Sequence, residues 1–113
     1  MTARCWAILD EKNLNFIAGK REFIRQEVAS LTKIMTCYTT IKLCKLLNID
    51  PRNTYVKATD VAADICGTTA NLKKDEELSI HELLFGLMLP SGNDAAFALS
   101  QYFGQRLYNE VYS

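Results

Sequence analysis

A chain of 113 residues is long enough for one domain and too short for two substantial ones. Its 49% apolar and 23% charged residues describe an ordinary soluble globular protein. Thirteen basic residues balance thirteen acidic ones with no basic stripe, so nucleic-acid binding through phosphate neutralisation has no support.

In chain order, M-T-A-R-C-W-A-I-L-D offers no long apolar run and does not read as a signal peptide. Cys5–Leu9 and Asn15–Gly19 are expected to be two short strands, joined through the turn formers D-E-K-N-L as an antiparallel pair. The mixed stretch Glu22–Val28 reads as a connecting loop. From Leu31 the pattern changes period: Ile34, Met35, Tyr38, Ile41, Cys44 and Leu46 or Leu47 predict a helix of about four or five turns. Thr36, Thr39 and Thr40 weaken its intrinsic propensity, so packing must hold it, and Asn48-Ile49-Asp50-Pro51 stops it.

Thr54–Thr59 alternates loosely, as a short extended segment does, and Asp60 is placed as the cap of a brief helix over Val61–Ile65 that ends at Gly67. Asn71–Leu78, with Glu76 and Glu77, reads as a charged surface loop with room for a short strand. Ser79 and Glu82 form a capping-box pattern before the apolar face of Leu83, Leu84, Leu87 and Met88. Pro90-Ser91-Gly92 breaks that helix, and another is expected from Asn93 to Tyr102. The most apolar piece, Leu83–Leu89, is interrupted by Gly86 and is far below membrane-spanning length. His81, two residues past a predicted cap, is expected to be exposed. Cys5, Cys37, Cys44 and Cys66 form no C-x-x-C pair and the single histidine is far from them, which argues against a zinc site and for buried free thiols.

Two stretches carry chemistry. In A-S-L-T-K-I-M-T, residues 29–36, Ser30 has two readings. As structure, serine is a favoured N-cap. As chemistry, a serine on the first helical turn lies near unpaired backbone N–H groups that stabilise developing negative charge. Lys33, three residues on, returns to nearly the same face, and Leu31, Ile34 and Met35 would supply the dry setting in which its ammonium form is disfavoured and it serves as a base. In P-S-G-N-D-A-A, residues 90–96, Gly92 permits a tight turn and Asn93 is able to cap the next helix. Read as chemistry, the Ser91 hydroxyl passes a proton to a leaving amine and the Asn93 amide binds a peptide carbonyl. Asp94 suits a first helical turn and is read structurally.

S-x-x-K opening one helix and S-x-N between two later ones resemble the motifs of penicillin-binding proteins and serine β-lactamases. More closely, A-S-L-T-K-I-M-T and E-L-L-F-G-L-M-L-P-S-G-N-D-A-A, with the opening A-I-L-D and its hairpin, resemble the D-alanyl-D-alanine carboxypeptidases of peptidase family S11. Glycine at position 92 is similar to these carboxypeptidases, where class A β-lactamases usually carry S-D-N. The resemblance implies an α/β (α+β) fold of the β-lactamase/transpeptidase-like type, with residues 1–113 forming its N-terminal part. It implies Ser30 as acylated nucleophile, Lys33 as general base, Ser91 as proton relay and Asn93 as the substrate-orienting residue. The implied substrate is a cell-wall stem peptide ending in D-Ala-D-Ala, hydrolysed through an acyl-enzyme, and β-lactams are the implied covalent inhibitors, with no cofactor.

The family's third motif, usually K-T-G on a later strand that supplies an oxyanion-hole donor, has no counterpart in the twenty residues after Asn93. The expectation is therefore an incomplete fold, an N-terminal hairpin plus a helical region without the later strands, and impaired activity. The hairpin's open edge invites a complementing C-terminal segment or self-association. Asn13-Leu14 in place of the family's Thr-Gly, Val28 in place of its proline, and four cysteines mark a divergent member. The family works outside the cytoplasmic membrane, periplasmic or extracellular, whereas this chain shows no export signal of its own. A non-catalytic remnant that binds a partner protein, and a β-lactamase or esterase on the same scaffold, are the alternative readings.

Overall fold

The computed structural model describes residues 2–113. Strands β1 (Trp6–Leu9) and β2 (Phe16–Lys20) pair antiparallel, with Trp6 opposite Lys20 and Leu9 opposite Phe16, each within a residue of its expected limits. The Asp10 carboxylate builds the turn by accepting the N–H groups of Lys12 and Asn13. Leu14 closes it in the left-handed region at φ +57°.

A 3₁₀ turn, Ala29–Leu31, runs into helix α1, Thr32–Leu46. The helix is where the periodicity puts it, but only part of the apolar series lies on its covered face. Thr40 and Cys44 are buried, and Cys37, Leu43 and Leu47 pack beside them, whereas Ile34, Met35, Tyr38 and Ile41 are exposed. A helix apolar on both sides gives no directional signal, and its inner face is chosen by what packs against it. Asn48, at φ +53°, ends α1 in the left-handed conformation while the Ile49 N–H reaches back to the Cys44 carbonyl.

Strand β3 (Tyr55–Lys57) pairs antiparallel with β4 (Glu77–Ser79), the short strand in the charged loop, with Val56 opposite Leu78. Helix α2 is shorter than expected, Asp60–Ala63, and its cap is Thr59 rather than Asp60. The Thr59 hydroxyl accepts the Ala62 N–H, while the Asp60 carboxylate is turned to its neighbour Val61. Helix α3 (Ile80–Met88) opens on the predicted capping box, complete in both directions between Ser79 and Glu82. His81 is half-buried with its ring edge-on to Phe85, more covered than expected, because the first turn of α3 lies against the 50–54 bend through the His81 N–H to Pro51 carbonyl bond.

Helix α4 (Asn93–Tyr112) extends ten residues beyond the expected end at Tyr102. Nothing between Phe103 and Tyr112 breaks a helix apart from Gly104, and an isolated glycine costs only about 1 kcal/mol there. The core lies between α3 and α4, where Ile80, Leu83, Leu87 and Leu99 are fully buried. Beyond Phe103 the helix projects into solvent, where Tyr108 and Tyr112 stack on each other with centroids 4.7 Å apart. The Cα radius of gyration is 16.4 Å, against about 13 Å for a compact domain of this length, since the last turns of α4 project and the hairpin packs mainly on itself.

Candidate active site

The head of α1 is strained before Ser30: Ala29 sits at φ +46°, uncommon for a residue with a side chain. Ser30 lies on the 3₁₀ turn and α1 has the helical residue Leu31 at its N-cap position, with no side-chain cap bond. The capping role open to Ser30 in the sequence is therefore not the one its side chain plays. Its Oγ instead accepts a hydrogen bond from Lys33 Nζ at 3.2 Å. Three residues of helical advance, with one tight turn included, bring the two groups onto one side of the helix head.

The expected dry setting is not built by the neighbours named for it. Leu31 is 63%, Ile34 56% and Met35 63% exposed, since all three lie on the uncovered face of α1. Ser30 is exposed and Lys33 half-buried.

The second motif is held by backbone geometry. Ser91 takes a left-handed φ of +57°, and Gly92 follows so tightly that a Cβ there would lie 2.7 Å from the Gly86 carbonyl oxygen and 2.9 Å from the Ala70 nitrogen. The S-D-N form of the triplet does not fit this backbone without displacement. Asn93 does not cap α4, because Gly92 occupies that position. Its N–H is taken by the Thr68 carbonyl at 2.8 Å, and its Nδ2 donates to the Cys66 carbonyl at 3.0 Å. Thr68 closes the bracket from the other side, its hydroxyl donating to the Ser91 carbonyl.

Ser30, Lys33 and Asn93 line one open cleft of about 490 Å³ between the heads of α1 and α4, together with Thr36, Phe97 and Ser100. Ser91 is not in that lining, and no hydrogen bond links its hydroxyl to Ser30 or Lys33. Sequence reading passed over Phe97 and Ser100. Their spacing after Asn93, at four and seven residues, marks one helical face and was the available signal. It also missed the loop Cys66–Leu72, whose functional groups are mainly backbone atoms and leave no motif.

Asp94 is the most buried charged group, with no solvent exposure. Burial opposes its ionisation, but hydrogen bonds from the Ala70 and Leu72 N–H groups, the Thr69 hydroxyl and the Ala95 N–H outweigh that and hold the carboxyl below its ordinary range. The Ser79 N–H and hydroxyl likewise lower Glu82, and burial raises the Cys44 thiol. All four cysteines are free, Cys44 buried, Cys5 and Cys37 half-buried and Cys66 exposed, so burial is less general than expected. Among the described residues no three His, Cys, Asp or Glu side chains gather as a metal site, and no helix is long and apolar enough to cross a membrane.

The D-alanyl-D-alanine carboxypeptidase family, peptidase S11, is matched over residues 1–107. A D-alanyl-D-alanine carboxypeptidase of a Streptomyces species is 38% identical over 81 residues, covering 71% of this chain and 28% of that protein. Escherichia coli DacD, with the same description, is 29% identical over 96% of this chain and 30% of its own length. Among solved structures, the carboxypeptidase DacD from Francisella tularensis superposes with a TM-score of 0.85 at 31% identity, covering 93% of this chain and 25% of that one. Penicillin binding protein 5 from Haemophilus influenzae superposes at 0.78 with 27% identity, over 89% of this chain and 30% of that one. The chain thus spans less than a third of the length of these relatives and has the α/β fold of the β-lactamase/transpeptidase superfamily over that part. It belongs to the D-alanyl-D-alanine carboxypeptidase family of peptidases, S11.

Proposed function

We propose that this chain, a single domain-forming part over residues 1–113, carries the acylating half of a serine D-alanyl-D-alanine carboxypeptidase site. The observation that supports it most is the 3.2 Å contact between Lys33 Nζ and a Ser30 hydroxyl that caps nothing, in the same cleft as Asn93. In this reading Lys33 takes the Ser30 proton as Oγ attacks the carbonyl carbon of the penultimate D-alanine in a stem peptide. The helix-head N–H groups of α1 stabilise the oxyanion. The C–N bond then breaks, and Ser91 relays the proton to the departing amine of the terminal D-alanine. Water hydrolyses the resulting Ser30 ester and returns the enzyme. Asn93, with one amide hydrogen spent on Cys66, offers its second to a carbonyl of the peptide. β-Lactams would acylate Ser30 by the same attack, and no metal or organic cofactor is required.

The test is incubation of the purified chain with a fluorescent penicillin followed by intact-mass measurement, with Ser30→Ala as control. An adduct present in the parent and lost in the variant is expected. A folded parent without an adduct overturns the acylation step for the chain alone.

A second reading is favoured by one observation, the uncovered apolar face of α1 beside Ser30. Here turnover requires a complementing segment that covers this face and contributes a K-T-G strand. No gain in turnover on adding such a folded partner would sink it. The tight fit around Gly92 supports the carboxypeptidase over a β-lactamase of the S-D-N type.

A further inference from the structure

Asp94 suits a helix start by its sequence position, yet the geometry gives its carboxylate a larger task. A carboxylate in a first helical turn ordinarily serves its own helix. Asp94 gives α4 one of its four bonds, Oδ1 accepting the Ala95 N–H at 2.9 Å. The other three go to a different segment of chain: Oδ1 accepts the Ala70 N–H at 2.9 Å, and Oδ2 accepts the Thr69 hydroxyl at 2.8 Å and the Leu72 N–H at 3.0 Å. Both oxygens are fully used, and the side chain has no solvent exposure.

The loop fastened in this way is the one that holds Ser91 and Asn93. Thr68, next to Thr69, accepts the Asn93 N–H through its carbonyl and donates its hydroxyl to the Ser91 carbonyl. Ala70, fastened directly by Asp94, lies over Gly92, and a Cβ on Gly92 would come within 2.9 Å of the Ala70 nitrogen. Ser91, in its left-handed conformation, needs such an external restraint, because a strained residue persists only where its surroundings over-determine it. We propose that Asp94 is a positioning residue whose carboxylate clamps the 68–72 loop across the S-G-N turn and thereby sets Ser91 and Asn93 for their roles. The catalytic part of this inference rests on the proposed function, whereas the clamp itself does not.

The two are separated by residue-resolved amide hydrogen exchange on the full chain, which needs no activity. Asp94→Asn keeps the shape but turns one oxygen into a donor facing donors. Exchange at Ala70 and Leu72 is expected to rise, and with it exchange at Gly92 and Asn93 by at least about tenfold, while Leu83, Leu87 and Phe103 change by less than about twofold. Should Asp94→Asn not fold, Thr69→Val removes one donor to Asp94, with the acceptor of the Asn71 N–H, and the same pattern is expected at Gly92 and Asn93 at about threefold or more. Faster exchange at Ala70 and Leu72 with Gly92 and Asn93 unmoved, or an equal rise along the whole chain, overturns the clamp. Penicillin acylation of Ser30, followed on the same samples, is expected to slow at least about tenfold in Asp94→Asn. A parent chain that is not acylated removes the proposed function and leaves the exchange result to decide the clamp. A parent acylated at the same rate as Asp94→Asn overturns the positioning role.

Discussion

A side chain at position 67 collides with Asn93. Gly67 sits at φ +99°, and a Cβ built on it falls 2.5 Å from Asn93 Nδ2, the atom that donates to the carbonyl of the preceding Cys66. The glycine both turns the chain and leaves room for the amide. Gly67→Ala is therefore expected to cost about 1–3 kcal/mol through backbone strain and displacement of Asn93. Thermal unfolding should record a fall in Tm of at least about 4 °C. An unchanged Tm would mean that the turn relaxes freely, and that Asn93 is not fixed by it.

Two serines near helix starts should differ in what their loss costs. Ser79 accepts the Glu82 N–H and completes a capping box, whereas Ser30 makes no cap bond. Ser79→Ala should lower stability by about 1 kcal/mol, and Ser30→Ala should stay within about 0.5 kcal/mol of the parent. Urea midpoints measure both. A comparable loss for Ser30→Ala would restore the capping explanation of that residue.

Stability in acid should report on Asp94. Its folded carboxyl is held below the ordinary value, so its contribution is complete above the unfolded pKa of about 4 and is lost as pH falls through the lower folded value. The difference in urea midpoint between the parent and Asp94→Asn is expected to be largest near about pH 6 and to shrink steadily below about pH 4. A difference that is flat with pH would show that the folded carboxyl is no easier to ionise than the unfolded one.

The two sides of α1 and its packing partner α3 allow a contrast. Ile34→Glu, on the exposed face, should change stability by no more than about 0.5 kcal/mol. Leu87→Ala, in the fully buried core, should cost about 2–5 kcal/mol. A large loss for Ile34→Glu would mean that the outer face is covered in solution.

The hairpin, the start of α1, the capping box at Ser79 and the break at Pro90 were legible because each is written in local chemistry: turn formers, a change of period, a reciprocal cap, a ring without an N–H. The inner face of α1 was not. Leu31, Ile34, Met35 and Tyr38 are as apolar as Cys37, Leu43, Cys44 and Leu47, and only the position of α3 and α4 separates them. Thr59 took the cap that Asp60 was given, since both are good caps and one residue's difference in extended backbone decides between them. At the site, Ser30 and Lys33 were readable from spacing, and Asn93 from its motif. The bracket around Ser91 and Asn93 was not, because Cys66 and Thr68 act there mainly through carbonyl oxygens common to every residue.

The separateness of the hairpin reaches beyond its shape. Its strands β1 and β2 pair only with each other, and its link to the helices is the mostly exposed stretch 21–28, in which Arg21 is left-handed and Phe23 is 91% exposed. The helical body shares a continuous core, whereas the one aromatic contact of the hairpin, Phe16 with Phe23, is to the link itself. None of the buried core residues belongs to the hairpin. It is expected to open more readily than the helical body, with faster amide exchange at Ile8 and Ala18 than at Leu83 and Leu87, and the segment that leads into Ser30 is tethered to it.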